Sequence, residues 1–164
     1  NIDSYSYQCG VIDCFNEMVY AGVKSLALSH PMDSAEERDA CSPMPGSCAS
    51  DGNQLYIEDE PLLSDLFPLS LNRGKHNILF YRAGHVLEEY LRLKERKAAL
   101  VAEGAYFGGN RTQIAREYGR LLSYSPETVR ACWRPIRTGN GVTSHRRAGV
   151  FISVDNRSCG CYHR

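Results

Sequence analysis

The chain has 164 residues, 43% of them apolar, and its formal net charge is zero. This length allows one globular domain, but it is too short for a complete eight-stranded α/β barrel, which needs roughly 200 residues or more. The apolar fraction excludes a disordered chain, and the sequence has no run of eighteen apolar residues that would indicate a membrane span.

The charge is unevenly distributed along the chain. Residues 1–103 carry nine Lys and Arg against sixteen Asp and Glu, whereas residues 104–164 carry ten Arg against three acidic residues. The two halves are therefore expected to attract each other or to form one dipolar surface. The alternative is a basic C-terminal region that binds an anion or a nucleic acid.

The N-terminal segments alternate between strand and helix patterns. In Asn1–Tyr7, tyrosines alternate with small polar residues, which predicts a strand. Cys9–Ala21 has apolar residues at helical spacing and is followed by Gly22, which predicts a helix and its end. Lys24–Ser29 is a short apolar run closed by Pro31, as in a buried strand.

The middle of the chain predicts one helix and two more strands. Asp33, with Glu36 three residues later, has the spacing of a helix cap. Asn53–Glu58 and His76–Tyr81 are predicted strands with apolar centres. Residues 61–75 between them contain two prolines and are expected to form a loop with one helical turn.

The C-terminal part is predominantly helical up to residue 137. Gly84–Glu103 and Arg111–Leu122 have broad apolar stripes, and a third helix is predicted from the cap Ser125 with Pro126 at its first position. The helical pattern is lost from residue 138, after which only Val150–Val154 has the composition of a strand.

This order of elements predicts an α/β fold with a small, mostly parallel sheet of about four strands, either a half-barrel or an open sheet. We expect an α/β domain over residues 1–104, a helical hairpin packed on it over 105–137, and an irregular basic tail over 138–164.

Candidate functional side chains follow the predicted strands. Because the carboxyl ends of parallel strands meet at one edge of a sheet, we expect His30, Glu58 and Asp59 to lie together as candidate catalytic residues. An imidazole and carboxylates are ligands for a divalent metal such as Zn²⁺ or Mn²⁺, so His30 and Glu58 are also candidate metal ligands. The same groups could act as general acid and base without a metal, or simply face solvent at the strand ends.

The start of the chain resembles the opening of metal-dependent amidohydrolase barrels, including the TatD-type nucleases. The resemblance covers about residues 1–31: Ile2-Asp3-x-Tyr5-x-Tyr7, an amphipathic helix, and a Gly-Val-Lys entry into a strand. Those families usually have histidines, which hold the metal, where this chain has Tyr5 and Tyr7. The resemblance implies a half-barrel or a degenerate relative, in which His30 and Glu58 would be compared with the later ligands.

Three functional hypotheses follow from the sequence. The leading one is a metal-dependent hydrolase-like site for a small molecule or phosphoester at the strand ends. The second is a non-catalytic binding or assembly module, completed by a partner or a second copy as a homo-oligomer. The third, which we favour least, is nucleic-acid binding through the arginine-rich C-terminal half. There the pattern of Ile114-Ala115 and Gly119 is similar to that of a helix-turn-helix.

Cellular location is predicted from the cysteines and the N-terminus. Seven cysteines without a signal-peptide pattern predict free thiols and a cytoplasmic location.

Overall fold

A three-stranded antiparallel sheet with helices on both faces forms the centre of the structure. The computed structural model describes residues 3–42 and 52–132, with the backbone of residues 136–137 and 143–144. The elements in chain order are α1 (Ser4–Tyr20), β1 (Leu26–Leu28), α2 (Ala35–Cys41), β2 (Gln54–Glu58), α3 (Leu69–Asn72), β3 (Asn77–Tyr81), α4 (Gly84–Ala102), α5 (Gly108–Leu121), α6 (Pro126–Cys132), β4 (Ile136–Arg137) and β5 (Thr143–Ser144).

The prediction of a mostly parallel sheet of four strands is wrong. The sheet order is β1-β3-β2, and β3 is antiparallel to both neighbours, with Leu26 opposite Tyr81 and Glu58 opposite Asn77. The reason lies in the connection from β2 to β3, whose only helix is the four-residue α3. A parallel crossover usually needs a helix that carries the chain back along the sheet, and without one β3 runs in the opposite direction.

The predicted strand at the N-terminus is also wrong, because helix α1 already begins at Ser4. Asp3 is the N-cap: its carboxylate accepts hydrogen bonds from the backbone N–H of Ser6 at 3.0 Å and from its hydroxyl at 2.8 Å. This capping interaction starts the helix one turn earlier than the apolar pattern indicates. Tyr5 and Tyr7, the residues that carry the amidohydrolase resemblance, are exposed side chains of this helix.

The predicted helix at 33–40 is present as α2, but its cap lies one residue later than expected. Ser34 is the N-cap and accepts a hydrogen bond from the N–H of Glu37 at 3.1 Å. The Glu37 carboxylate in turn accepts from the N–H of Asp33 at 2.9 Å. The reciprocal pattern is that of a capping box shifted by one position.

The central strand β3 separates two apolar layers. All five of its residues are buried, which is expected for a strand covered on both faces. Ile78 and Phe80 face α1 and α2, where the core consists of Ile12, Val19, Ala27, Met32 and Cys41. Leu79 and Tyr81 face the other way, toward a larger core with Leu26, Leu62, Leu66, Val86, Tyr90, Leu93, Ile114, Tyr118, Leu121, Leu122 and Val129.

The C-terminal helices α5 and α6 form a hairpin that packs on this larger core. Their connection, 122–125, has four residues and contains Ser123 at a positive φ of 61°. Ser125 caps α6 by accepting from the N–H of Thr128 at 3.2 Å, as predicted. Gly119 is buried directly against Val129, and a Cβ at position 119 would overlap Val129 Cγ2.

The remaining predicted elements that lie in the described ranges are confirmed, with ends shifted by a few residues. They are the strands β1, β2 and β3, the helical turn α3, and the helices α4, α5 and α6. The predicted strand Val150–Val154 and most of the predicted basic tail lie outside the described residues. Among the helices described, none is long and apolar enough to cross a membrane.

Candidate functional site

Glu58, at the end of β2, is a buried carboxylate with four hydrogen bonds. Its side chain is only 3% exposed. Lys94 Nζ donates to both carboxylate oxygens at 2.8 Å, and Tyr90 Oη donates to Oε2 at 2.8 Å. The backbone N–H of Glu60 donates to Oε1 at 2.9 Å. A buried charge with this many partners is satisfied, and it ties β2 to helix α4.

Asp59, the next residue, forms a second cluster, which joins the end of β2 to α2. Its carboxylate accepts from the guanidinium of Arg38 and lies 3.3 Å from Nδ1 of His76. Arg38 is 5% exposed and also pairs with Asp39 at 2.8 Å. The hydrogen bond from Arg38, and then that from His76, lowers the pKa of Asp59. Asp59 therefore carries its negative charge down to an unusually acidic pH.

His30 lies at the same edge of the sheet, but on the far side of β3. Ser29 N donates to the carbonyl of Ile78, and Glu58 pairs with Asn77, so β3 separates His30 from Glu58. Strands lie about 4.8 Å apart, which places residues two strands apart at roughly 10 Å. The His30 side chain is exposed to solvent. The structure thus brings Glu58 and Asp59 together as chain neighbours and leaves His30 apart from them.

The described residues do not form a donor set that fits a divalent metal. No group of three or more His, Cys, Asp or Glu side chains in these ranges could hold such an ion. Both oxygens of Glu58 are engaged by cationic or N–H and O–H donors, which occupy the directions a metal would need. His30 and Glu58 therefore do not form a metal site with the other described residues.

An open groove of about 610 Å³ begins beside Glu58. One wall is a single face of α4, and the other is the segment that follows β2, closed by the turn after α3. The lining residues are Asp59, Glu60, Pro61, Leu62, Leu63, Asn72, Gly74, Lys94, Lys97, Ala98, Val101 and Ala102. The volume lies within the range of small-molecule sites.

Two lysines lie on the α4 wall of this groove. Lys94 uses two of its three N–H donors on Glu58. Lys97 is half-buried, its ammonium lies 5.4 Å from the ring centre of Tyr106, and burial lowers its pKa. In the described ranges no carboxylate forms an ion pair with Lys97. The groove therefore contains a partly desolvated cation that has no carboxylate counter-ion within residues 3–42 and 52–132.

Sequence reasoning located Glu58 and Asp59 but missed the partners that define their surroundings: Arg38, His76, Tyr90, Lys94 and Lys97. These partners come from other elements, so no local motif links them to the strand end. One signal was available in α4, where Tyr90 lies on the apolar stripe and Lys94 is one turn later on the same face. A polar hydroxyl and an ammonium at the edge of a buried stripe need a buried acceptor.

In the described part of the arginine-rich region, three arginines pair with carboxylates: Arg111, Arg120 and Arg130. Arg111 donates to Asp65 through Nε at 2.6 Å, and Arg120 lies 2.8 Å from Glu89. Both pairs join the basic half of the chain to the acidic half, in line with the expected attraction between them. The four-residue connection between α5 and α6 has the length found in helix-turn-helix motifs. The pairing of its arginines nevertheless favours packing on the domain over contact with phosphates.

This chain matches no protein-family model, no curated protein and no solved structure. Its function therefore has to be inferred from the groove and the side chains that line it.

Proposed function

We propose that the protein is a non-catalytic binding protein for a small organic anion, which docks in the groove along α4. The observation that carries the proposal is Lys97, a half-buried cation in the groove that has no carboxylate partner in the described ranges. An ammonium that has lost part of its hydration gains when an anion binds beside it. The ring face of Tyr106 compensates only partly, because a cation–π contact is weaker than a full counter-ion.

The rest of the groove suits the organic part of such a ligand. Leu62, Leu63, Ala98 and Val101 give it apolar surface on both walls. Burial of apolar ligand surface contributes roughly 25 cal/mol per Å² and supplies affinity that one ion pair cannot. An anion with a short hydrocarbon body is the ligand that matches both features.

Binding is favoured over hydrolysis because the candidate catalytic acids are already engaged. Glu58 is bound by Lys94 and Tyr90, and Asp59 by Arg38 and His76. The oxygens of Glu58 are occupied by these donors, and the hydrogen bonds to Oδ1 of Asp59 lower its pKa, which makes it a weaker base. The two carboxylates instead hold the end of β2 against α4 and α2.

Titration with hexanoate, followed by calorimetry and by saturation-transfer NMR, tests the proposal. Hexan-1-ol is the matched uncharged ligand. Hexanoate should bind detectably and hexan-1-ol at least about tenfold more weakly, because a charge-assisted hydrogen bond contributes about 1.5–3 kcal/mol. Lys97→Gln should remove this preference.

The matched control is Arg92→Gln, which removes a cation from an exposed position of α4 outside the groove. It should leave hexanoate binding unchanged. Equal binding of hexanoate and hexan-1-ol, or equal loss in both variants, would overturn the proposal.

A further inference from the structure

We infer that the anion bound in the groove is a zwitterion of the α-amino-acid type with an apolar side chain. This inference rests on the proposed function and specifies its ligand. It comes from the charges that line the groove: the two lysines, Asp59, which is paired with Arg38, and a second acid that has no such partner among the described residues.

The acid in question is Glu60. Its backbone N–H is fixed on Glu58 at 2.9 Å, so it lies at the end of the groove where Lys94 also binds Glu58. The Glu60 side chain is exposed. Among the described residues it forms an ion pair with neither Lys94, which binds Glu58, nor Lys97. Glu60 and the two lysines therefore line one groove, and among the described residues they form no ion pair with one another.

A ligand with an ammonium and a carboxylate on the same carbon atom can bind Glu60 and the two lysines at the same time. Its carboxylate would accept from Lys97 and from the third N–H of Lys94, and its ammonium would donate to Glu60. A simple carboxylate would satisfy the lysines only, and it would be repelled by Glu60. Charge complementarity thus selects the zwitterion over the plain anion.

The apolar surface at the other end of the groove favours a ligand with an aliphatic side chain. The α4 face continues from Lys94 through Ala98 to Ala102, a length of about 12 Å at 1.5 Å per residue. Leu63 is half-buried and Val101 is 54% exposed, so both have apolar surface left to cover. A branched aliphatic side chain that extends from the charged end would cover it.

Three ligands that share the 3-methylbutyl chain separate the contributions of the two charged groups: L-leucine, 4-methylpentanoate, which lacks the amine, and 3-methylbutan-1-amine, which lacks the carboxylate. Calorimetric titration of the wild-type chain should give leucine the tightest binding, by about tenfold over each analogue, the size expected for one charge-assisted hydrogen bond. Glu60→Gln should remove the advantage of leucine over 4-methylpentanoate. Lys97→Gln should weaken both carboxylates but not the amine.

Glu95→Gln is the matched control, because Glu95 is an exposed acid of α4 that does not line the groove. It should change none of the three affinities. If 4-methylpentanoate binds as tightly as leucine, or if Glu60→Gln leaves the advantage of leucine intact, the zwitterion inference fails while the anion proposal stands. If neither carboxylate binds, both fail.

Discussion

At the scale of single residues, we expect substitution of Glu58 to cause a large loss of stability, because its carboxylate is buried and fully hydrogen-bonded. Its four hydrogen bonds come from the backbone and from two side chains of α4. A Glu58→Gln variant keeps the shape but loses the charge, and it turns one acceptor into a donor that faces Lys94. We expect the free energy of unfolding to fall by about 2–4 kcal/mol, measured by urea denaturation.

The control for this measurement is Glu88→Gln, an exposed position on the same helix. It should change the stability by less than about 0.5 kcal/mol. Tyr90→Phe should cost about 1–2 kcal/mol, because it leaves the N–H of Leu62 and one oxygen of Glu58 without their hydroxyl partner. Equal urea midpoints for Glu58→Gln and the wild type would show that this cluster does not stabilise the fold.

At the scale of elements, the close contact of Gly119 with Val129 sets the packing of α5 against α6. Gly119→Ala places a methyl group onto Val129 Cγ2 and should destabilise the protein by about 1–3 kcal/mol. In Gly119→Ala combined with Val129→Ala the nearest remaining atom is Val129 Cβ, at 3.6 Å from the added Cβ. The double variant should therefore lose less stability than the sum of the two single variants.

Gly109→Ala is the control in the same helix, since an added Cβ there meets nothing within 4 Å. Alanine favours helix over glycine by up to about 1 kcal/mol, so this variant should be neutral or stabilised. Additive effects of the changes at 119 and 129, seen in thermal or urea unfolding, would contradict the contact.

The sequence predicts the elements better than it predicts their arrangement. Helix ends follow from local residues such as the Ser125 cap of α6, and a strand such as β3 follows from its apolar run. The antiparallel direction of β3 agrees with the predicted loop at 61–75, which has no helix long enough for a parallel crossover, but the strand–helix alternation elsewhere in the chain led to the prediction of a parallel sheet. The partners of Glu58 were missed because they are distant in sequence: Lys94 lies 36 positions away in the chain.

At the scale of the whole molecule, the ionised carboxyl groups predict loss of stability in acid. Hydrogen bonds and ion pairs outweigh any effect of burial and lower the pKa of five carboxyl groups: Asp3, Glu36, Asp59, Glu117 and Glu127. A carboxyl with a lower pKa in the folded state binds its proton more readily when unfolded. Such a carboxyl group therefore contributes its full stabilisation of the fold above its pKa in the unfolded chain, which is about 4. This stabilisation is lost as the pH falls through the lower pKa of the group in the folded chain.

The urea midpoint should thus be nearly constant from about pH 5.5 to 7.5 and should fall steadily from about pH 4.5 to 3. Asp59→Asn should make the acid decline shallower, because it removes the carboxyl that pairs with Arg38. A midpoint that rises on acidification would contradict the direction of these shifts.

The position of β3 between β1 and β2 has a further consequence for how the chain folds during synthesis. β1 and β2 have no hydrogen bonds to each other, and β3 is the last of the three to be made. Leu26 of β1 can pair with Tyr81 of β3 only after Tyr81 has been synthesised. At a synthesis rate of about 5–20 residues per second this delay is roughly 3–10 s. Throughout that time the apolar face of α1 has no sheet to cover it. The nascent chain therefore presents a surface for chaperones or for aggregation until β3 emerges from the ribosome.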